Sequence, residues 1–255
     1  MTKKYHIGQK EERHLYNTCQ WAWEMIGTVE DYRQLSDYVI DRIKEHQSLQ
    51  THSVLHLGCG SGCMDFHMKK HVAITGVDLS ENMLRSAAKK NPECEYILGD
   101  MRELCIDNRF DAVIIPESID YMRTEEEIVN VFTNAKNMLK QDGLLLVVVG
   151  YDPEFFPQNR TTVDQVDDKH TELTFIENNY APDPDGNYFE ATFVFLARQE
   201  GRLKTIIDIH TLGLFDRETW AGQMKKAGFD VRLIQDPVLE AIEQKGSFLL
   251  VGKNL

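Results

Sequence analysis

Nowhere in the 255 residues is there an apolar run near the roughly 20 that cross a bilayer, so no membrane-spanning helix is expected. The first residues, Met1-Thr2-Lys3-Lys4-Tyr5-His6, place no apolar segment behind the lysines, and no secretory signal is expected either. Cysteine is scarce: Cys19, Cys59, Cys63, Cys94 and Cys105 are odd in number and scattered. Their spacing offers neither a disulfide framework nor a paired zinc set. It fits free thiols in a reducing cytoplasm, with no metal. Basic charge is short as well. Lys and Arg number 28 against 41 Asp and Glu, a formal net charge of −13. Such a field repels polyanions, so neither nucleic acid nor an anionic membrane is an expected partner. Repeats and low-complexity segments are also missing. The 42% of apolar residues suffices for one large domain, or for a domain with an insertion.

What is present centres on Val54-Leu55-His56-Leu57-Gly58-Cys59-Gly60-Ser61-Gly62. An apolar strand ends there in three glycines at alternate positions. Glycine permits a tight turn and lets a ligand approach bare backbone, and a following helix N-terminus presents unpaired N–H groups. Two ligand classes use such a turn. A nicotinamide dinucleotide wants Gly-x-Gly-x-x-Gly and an acid about 20 positions later. Gly58, Gly60 and Asp78 suit it, but its third glycine position is Cys63. The alternative spacing, Gly-x-Gly-x-Gly, is matched in full by Gly58, Gly60 and Gly62.

Strands and helices alternate from this turn onward. Strands are expected at Val54–Leu57, Val72–Leu79, Glu95–Leu98, Asp111–Ile115 and Leu144–Val149. Helices are expected from Gly62 to about Lys70, from Glu81 to Asn91 with Ser80 as cap, and across Thr124–Lys140. Strands apolar throughout and separated by helices imply a parallel sheet covered on both faces. Residues 151–168 read as a loop, and Leu173–Tyr180, Tyr188–Ala197 and Lys204–Leu214 as antiparallel hairpins. A helix near Arg217–Ala227, with Gly228 as its cap, and strands at Val231–Ile234 and Phe248–Val251 close the chain. Before the glycine turn, Leu15, Cys19, Ala22, Ile26 and Val29 mark one helical face, and Leu35, Val39 and Ile43 a second helix capped by Thr28. The expected plan is a helical lid over 1–50, an α/β core over 51–150 and 215–255, and a β insertion over 151–214. That insertion would cover substrate or pair with a second copy in a homodimer.

At this point the chain resembles the class I methyltransferases that use S-adenosylmethionine. The glycine turn looks like their first motif, and Thr75-Gly76-Val77-Asp78-Leu79-Ser80 like their second. Leu98-Gly99-Asp100-Met101, Phe110–Ile115 and Leu139–Leu144 follow in the family's order. The resemblance implies an α/β fold: a seven-stranded Rossmann-like sheet whose last strand is antiparallel. It implies S-adenosyl-L-methionine held by Gly58, Cys59, Gly60 and Gly62, by Asp78 on the ribose with Leu79 and Met83 beside it, and by Asp100 and Met101 at the adenine. The family usually has an acid where this chain has His56. Either His56 is a residue of the cofactor site, with the donor's amino group held by a carbonyl, by water or by an N-terminal residue, or it is a satisfied core histidine.

Methyl transfer from a sulfonium is an in-line displacement that requires alignment, exclusion of water and a free lone pair on the acceptor. The turn Pro116-Glu117-Ser118-Ile119-Asp120-Tyr121 contains no Asn-Pro-Pro-Tyr box, which disfavours DNA adenine and protein glutamine methylation. Asp208-Ile209-His210-Thr211-Leu212-Gly213-Leu214-Phe215, with Glu30-Asp31-Tyr32 and Gly99-Asp100-Met101-Arg102, is similar to small-molecule N-methyltransferases, among them amino-sugar dimethyltransferases. By that resemblance Tyr16 and Tyr32 fall near the donor or acceptor, and His210 near the methyl. The candidate catalytic residues are His210, Tyr121, Asp120 and Glu117, acting on a small-molecule amine. Oxygen transfer to a carboxylate or hydroxyl, a donor-binding scaffold without catalysis, and an NAD-dependent oxidoreductase are the alternatives.

Overall fold

Val54, Leu55 and Leu57 are completely buried because the strand that carries them, β1 (Ser53–Leu57), lies inside a seven-stranded sheet. The fold is that of a computed structural model, which describes residues 14–16, 18–47 and 51–255. Parallel to β1 run β2 (Ala73–Asp78), β3 (Glu95–Leu98), β4 (Phe110–Ile115) and β5 (Leu139–Val149). Near the chain's end, β10 (Asp230–Ile234) and β11 (Phe248–Lys253) complete the order β10-β11-β5-β4-β1-β2-β3. Strand β11 is antiparallel to both of its neighbours, as the resemblance implied.

Alternation along each strand divides the core in two. Leu55, Val113, Leu145 and Leu250 face one side; α5 (Glu125–Asn137) and α6 (Arg217–Lys226) cover it with Phe132, Trp220 and Met224. Val54, Ile114, Leu146 and Leu249 face the other. There α2 (Arg33–His46) supplies Leu35, Val39 and Ile43, and α3 (Cys63–Met68) supplies Met64 and Met68. The central residue of the first layer is Trp220. Its ring lies 6.4 Å from Phe132 and 5.7 Å from Phe215, and its buried indole N–H has no partner among the described residues. Trp220→Ala should cost about 3–5 kcal/mol in urea unfolding. Trp220→Phe should cost clearly less, because it also removes a buried donor that carries a penalty of its own.

The second sheet has the order β6-β7-β8-β9, all antiparallel. It comprises β6 (Arg160–Asp167), β7 (Thr171–Tyr180), β8 (Tyr188–Gln199) and β9 (Arg202–Gly213). Strand β6 corrects the expectation of a loop over 151–168. It pairs with β7 along its whole length, yet its side chains are largely exposed, so it carries little of the apolar alternation that marks a strand. The inner face of this sheet presents Phe175, Phe193 and Phe195 to Leu15, Ala22 and Trp23 of the N-terminal segment.

That segment differs in detail from its expected form. Leu15 lies in a short 3-10 turn, and the first helix, α1, spans only Gln20–Ile26. Thr28 does not cap α2. Its N–H and hydroxyl both donate to Asp31, at 2.8 and 2.7 Å, and α2 starts after Tyr32. Residues 1–13, 17 and 48–50 of the expected lid lie outside the described residues. The helix expected over 124–140 ends at Asn137, and β5 begins at Leu139, with its register against β4 shifting between Phe110 and Ala112. A six-residue helix, α7 (Pro237–Ile242), starts where the Asp236 side chain accepts from the Val238 N–H; it is too short to show a period in the sequence.

Candidate active site

The turn after β1 needs its glycines for two different reasons. Gly58, Gly60 and Gly62 all have positive φ, at 74°, 53° and 73°. A Cβ on Gly58 would lie 2.2 Å from Ser118 Oγ, and one on Gly62 would lie 2.7 Å from Asn91 Nδ2, so these two are also closed by packing. Before Gly60, at the place of a Cβ, no atom of the described residues lies within 4 Å. That is where bare backbone meets open space. The loop is locked from behind: the Gly58 and Cys59 N–H groups donate to the Val77 carbonyl at 2.8 and 2.9 Å.

Asp78, at the end of β2, ties this loop to the next helix, α4 (Glu81–Lys90). Its Oδ2 accepts from the Gly60 N–H at 2.9 Å and its Oδ1 from the Ser80 N–H at 2.8 Å. Beside it Leu79 is 54% exposed, an apolar surface at the open edge of the sheet. Met101 also borders the turn, its Cε 3.5 Å from the place of a Gly58 Cβ. Asp100 is engaged by the Arg102 guanidinium, 2.6 Å from Oδ2, and Arg102 extends to Glu127 at 2.9 Å. Two of the expected contacts lie beneath the site rather than on its surface. Met83 is buried and meets the loop through its N–H, which donates to Ser80 Oγ. Cys59 is buried with its thiol pushed well up by desolvation, so it is no nucleophile.

His56 is buried too, its Nδ1 2.7 Å from Asp65 Oδ1. Asp65, on the inward face of α3, also accepts from the Tyr96 hydroxyl at 3.0 Å. Asn91 Nδ2 donates to that hydroxyl and to the Gly62 carbonyl, both at 2.9 Å. The histidine therefore belongs to a network under the glycine turn that includes Asp65, which sequence reasoning passed over. Its one signal was an acid on the buried face of α3.

A second chain of hydrogen bonds crosses from the far sheet to Ser80 at the start of α4. Asp208 Oδ2 accepts from the Leu15 N–H at 2.7 Å and from His210 Nε2 at 2.9 Å. With Nε2 donating, Nδ1 of a neutral imidazole is the acceptor, and the Tyr121 hydroxyl stands 2.7 Å from it. The Tyr121 and Tyr16 hydroxyls are 2.7 Å apart, and the Tyr16 carbonyl accepts from Ser80 Oγ at 2.6 Å. His210 is 1% exposed, with the Phe193 ring edge-on at 5.0 Å. Candidates 105 and 89 positions apart in the chain thus meet in one line, and Asp208 is the member not anticipated.

The turn after β4 brings a third group together. Glu117 has φ +56° and an exposed side chain, with the packed turn around it. Desolvation there raises its carboxyl, and nearby His56 opposes the rise. Asp120, buried, is pushed up to about 7 by desolvation despite the Gly150 N–H at 3.2 Å. Tyr32 faces the same turn and is raised by burial and by Glu117. For Asp120 the linkage has a definite sign. Between about pH 4 and 7 the unfolded chain ionises this acid while the folded chain keeps it protonated. Stability is therefore lost as pH rises through that window, by up to about 1.4 kcal/mol per pH unit for one group. Asp120→Asn should flatten the fall, read as urea midpoints across the window.

Comparison with known proteins agrees with this architecture. Residues 54–143 match the family model described as a methyltransferase domain. The chain is a methyltransferase with S-adenosylmethionine as its cofactor. Its particular likeness is to amino-sugar N-methyltransferases. It is 24% identical over 213 residues to the dTDP-3-amino-3,4,6-trideoxy-alpha-D-glucopyranose N,N-dimethyltransferase of Streptomyces venezuelae, covering 82% of this chain and 88% of that one. The sugar N-methyltransferase KedS8 from Streptoalloteichus sp ATCC 53650 superposes with a TM-score of 0.81 at 19% identity, covering 100% of this chain and 97% of that one. SAM-bound CalS10, an amino pentose methyltransferase from Micromonospora echinaspora, gives 0.78 at 18% identity, covering 98% and 100%.

Proposed function

We propose that this enzyme methylates an amine nitrogen of a small molecule, with the proton handled along Tyr121, His210 and Asp208. The line of hydrogen bonds from Asp208 to Tyr16, joined to the start of α4 at Ser80, carries the reading. The residues of the turn fit the donor. Open space lies before Gly60, and a carboxylate and an exposed leucine stand at the strand edge beside it. In this reading Gly58, Cys59, Gly60 and Gly62 give the donor its backbone contacts and Asp78 accepts from the ribose hydroxyls. Leu79 and Met101 flank the adenine, Asp100 meets its amino group, and Tyr32 closes the cleft. When bound, S-adenosylmethionine supplies an electrophilic methyl group on a sulfonium.

The chain's own task is to present an amine with its lone pair free. An ammonium has none, so a proton must leave before attack. Tyr121 can take it on the hydroxyl oxygen while passing its own proton to His210 Nδ1. The Asp208 carboxylate, 2.9 Å from Nε2, then stabilises the imidazolium and fixes the tautomer that makes Nδ1 the acceptor. Transfer to a carboxylate would call for cations in the cleft, where Glu117 and Asp120 stand instead. A screen of methyl-labelled donor against amines, amino sugars, carboxylates and phenols tests the reading. Turnover should appear with amines. Turnover restricted to carboxylates or phenols contradicts it.

A further inference from the structure

The acids behind the Tyr121 turn are more numerous than proton handling requires. Gly150, at the end of β5, donates its N–H to Asp120 Oδ2, and its carbonyl accepts from Gln244 Nε2 at 2.8 Å and Ser247 Oγ at 3.0 Å. The adjacent residue, Tyr151, has its hydroxyl 2.9 Å from Asn179 Nδ2, which also donates to Glu177 Oε1 at 2.8 Å. Glu243 precedes Gln244 and faces both Glu117 and Asp120. Four carboxyl groups from three separate parts of the chain are therefore neighbours around Gly150 and Tyr151. Polar capacity is left over there. Asp120 is 6% exposed and Asn179 is 4% exposed, and the Oδ1 of each has no partner among the described residues.

The counter-charges are few. Arg160 reaches the rim through Gln244 Oε1 at 3.3 Å and opposes the rise of Glu177, which Asp164 reinforces; His56 opposes that of Glu117 but is held by Asp65. Desolvation raises Glu177 and Glu243 as it does Glu117 and Asp120. Such a group is short of cations and lined with acceptors that a bound ammonium would satisfy.

Building on the amine reading, we infer that Glu177 and Glu243 complete an acidic acceptor pocket with Glu117 and Asp120, and that it selects a compact cationic amine carrying no phosphate. A nucleotide diphosphate would bring negative charge against four carboxyl groups, with Arg160 at the rim and Lys245 next to Gln244 as counter-charges. The acceptor class therefore departs from the dTDP-linked sugar named for the Streptomyces venezuelae relative.

The test uses the full chain saturated with S-adenosylhomocysteine and calorimetric titration with four probes: 1,3-diaminopropane, propane-1,3-diol, malonate and dTDP. The diamine should bind and the other three should not. Its affinity should rise from pH 6 to pH 8, since a bound cation favours the ionised acids. Glu177→Gln and Glu243→Gln should each weaken the diamine about tenfold, with affinity for S-adenosylhomocysteine unchanged as the control for folding. Binding of malonate or dTDP as tight as that of the diamine overturns the inference. So do Gln variants that bind the diamine as the parent does. Failure of S-adenosylhomocysteine itself to bind would instead strike at the methyltransferase reading beneath it.

Discussion

Asp78→Ala should weaken S-adenosylhomocysteine binding by 100-fold or more while leaving a folded protein. The carboxylate serves the site twice. It holds the loop by accepting from Gly60 and Ser80, and in the proposed complex it accepts from the ribose hydroxyls. Hydrogen bonds to a charged group contribute about 1.5–3 kcal/mol each, so losing the two ribose contacts exceeds two decades of affinity. The loop contacts are a separate and smaller loss. They are read from the melting temperature without ligand, which should fall by only a few degrees. Asp78→Asn keeps one acceptor oxygen and should lie between the two. A variant that binds as tightly as the parent would remove Asp78 from the donor site.

Tyr121→Phe should lower kcat by about 10²- to 10³-fold, within the range for a lost acid–base group, with donor affinity unchanged. The substitution keeps the ring and deletes only the hydroxyl between Tyr16 and His210. It is cleaner than His210→Ala, which would also strand the Asp208 carboxylate in the interior beside the Leu15 N–H. If the line acts as a unit, the double variant Tyr16→Phe/Tyr121→Phe should be hardly worse than Tyr121→Phe alone. Fully additive losses would mean that the two hydroxyls act independently.

These assignments were legible in the sequence to unequal degrees. The Val54–Leu57 strand, the Ser80 cap and the glycine turn all announce themselves locally, through burial, capping chemistry and backbone freedom. Asp208 and His210 lie two apart on β9, so alternation alone puts them on one face. Their meeting with Tyr121 and Tyr16 is different. It depends on the second sheet packing against the turn after β4 and the N-terminal segment, which no local pattern encodes. The same holds for Glu177 and Glu243, which in the sequence are indistinguishable from solvated acids. Strand β6 escaped notice because an exposed edge strand needs hydrogen bonds from its neighbour more than apolar side chains of its own. His56 stands where an acid was expected from the resemblance; buried against Asp65, it supports the loop from below.

The most direct test of the account is thermal unfolding of the parent chain with S-adenosylhomocysteine and, separately, with NAD. A ligand at 100 times its Kd stabilises the folded state by about 2.7 kcal/mol, which for a chain of this size raises the melting temperature by roughly 5–10 °C. S-adenosylhomocysteine should produce that shift and NAD none. A shift with NAD and none with S-adenosylhomocysteine would contradict the donor site built on Gly58, Gly60, Gly62 and Asp78.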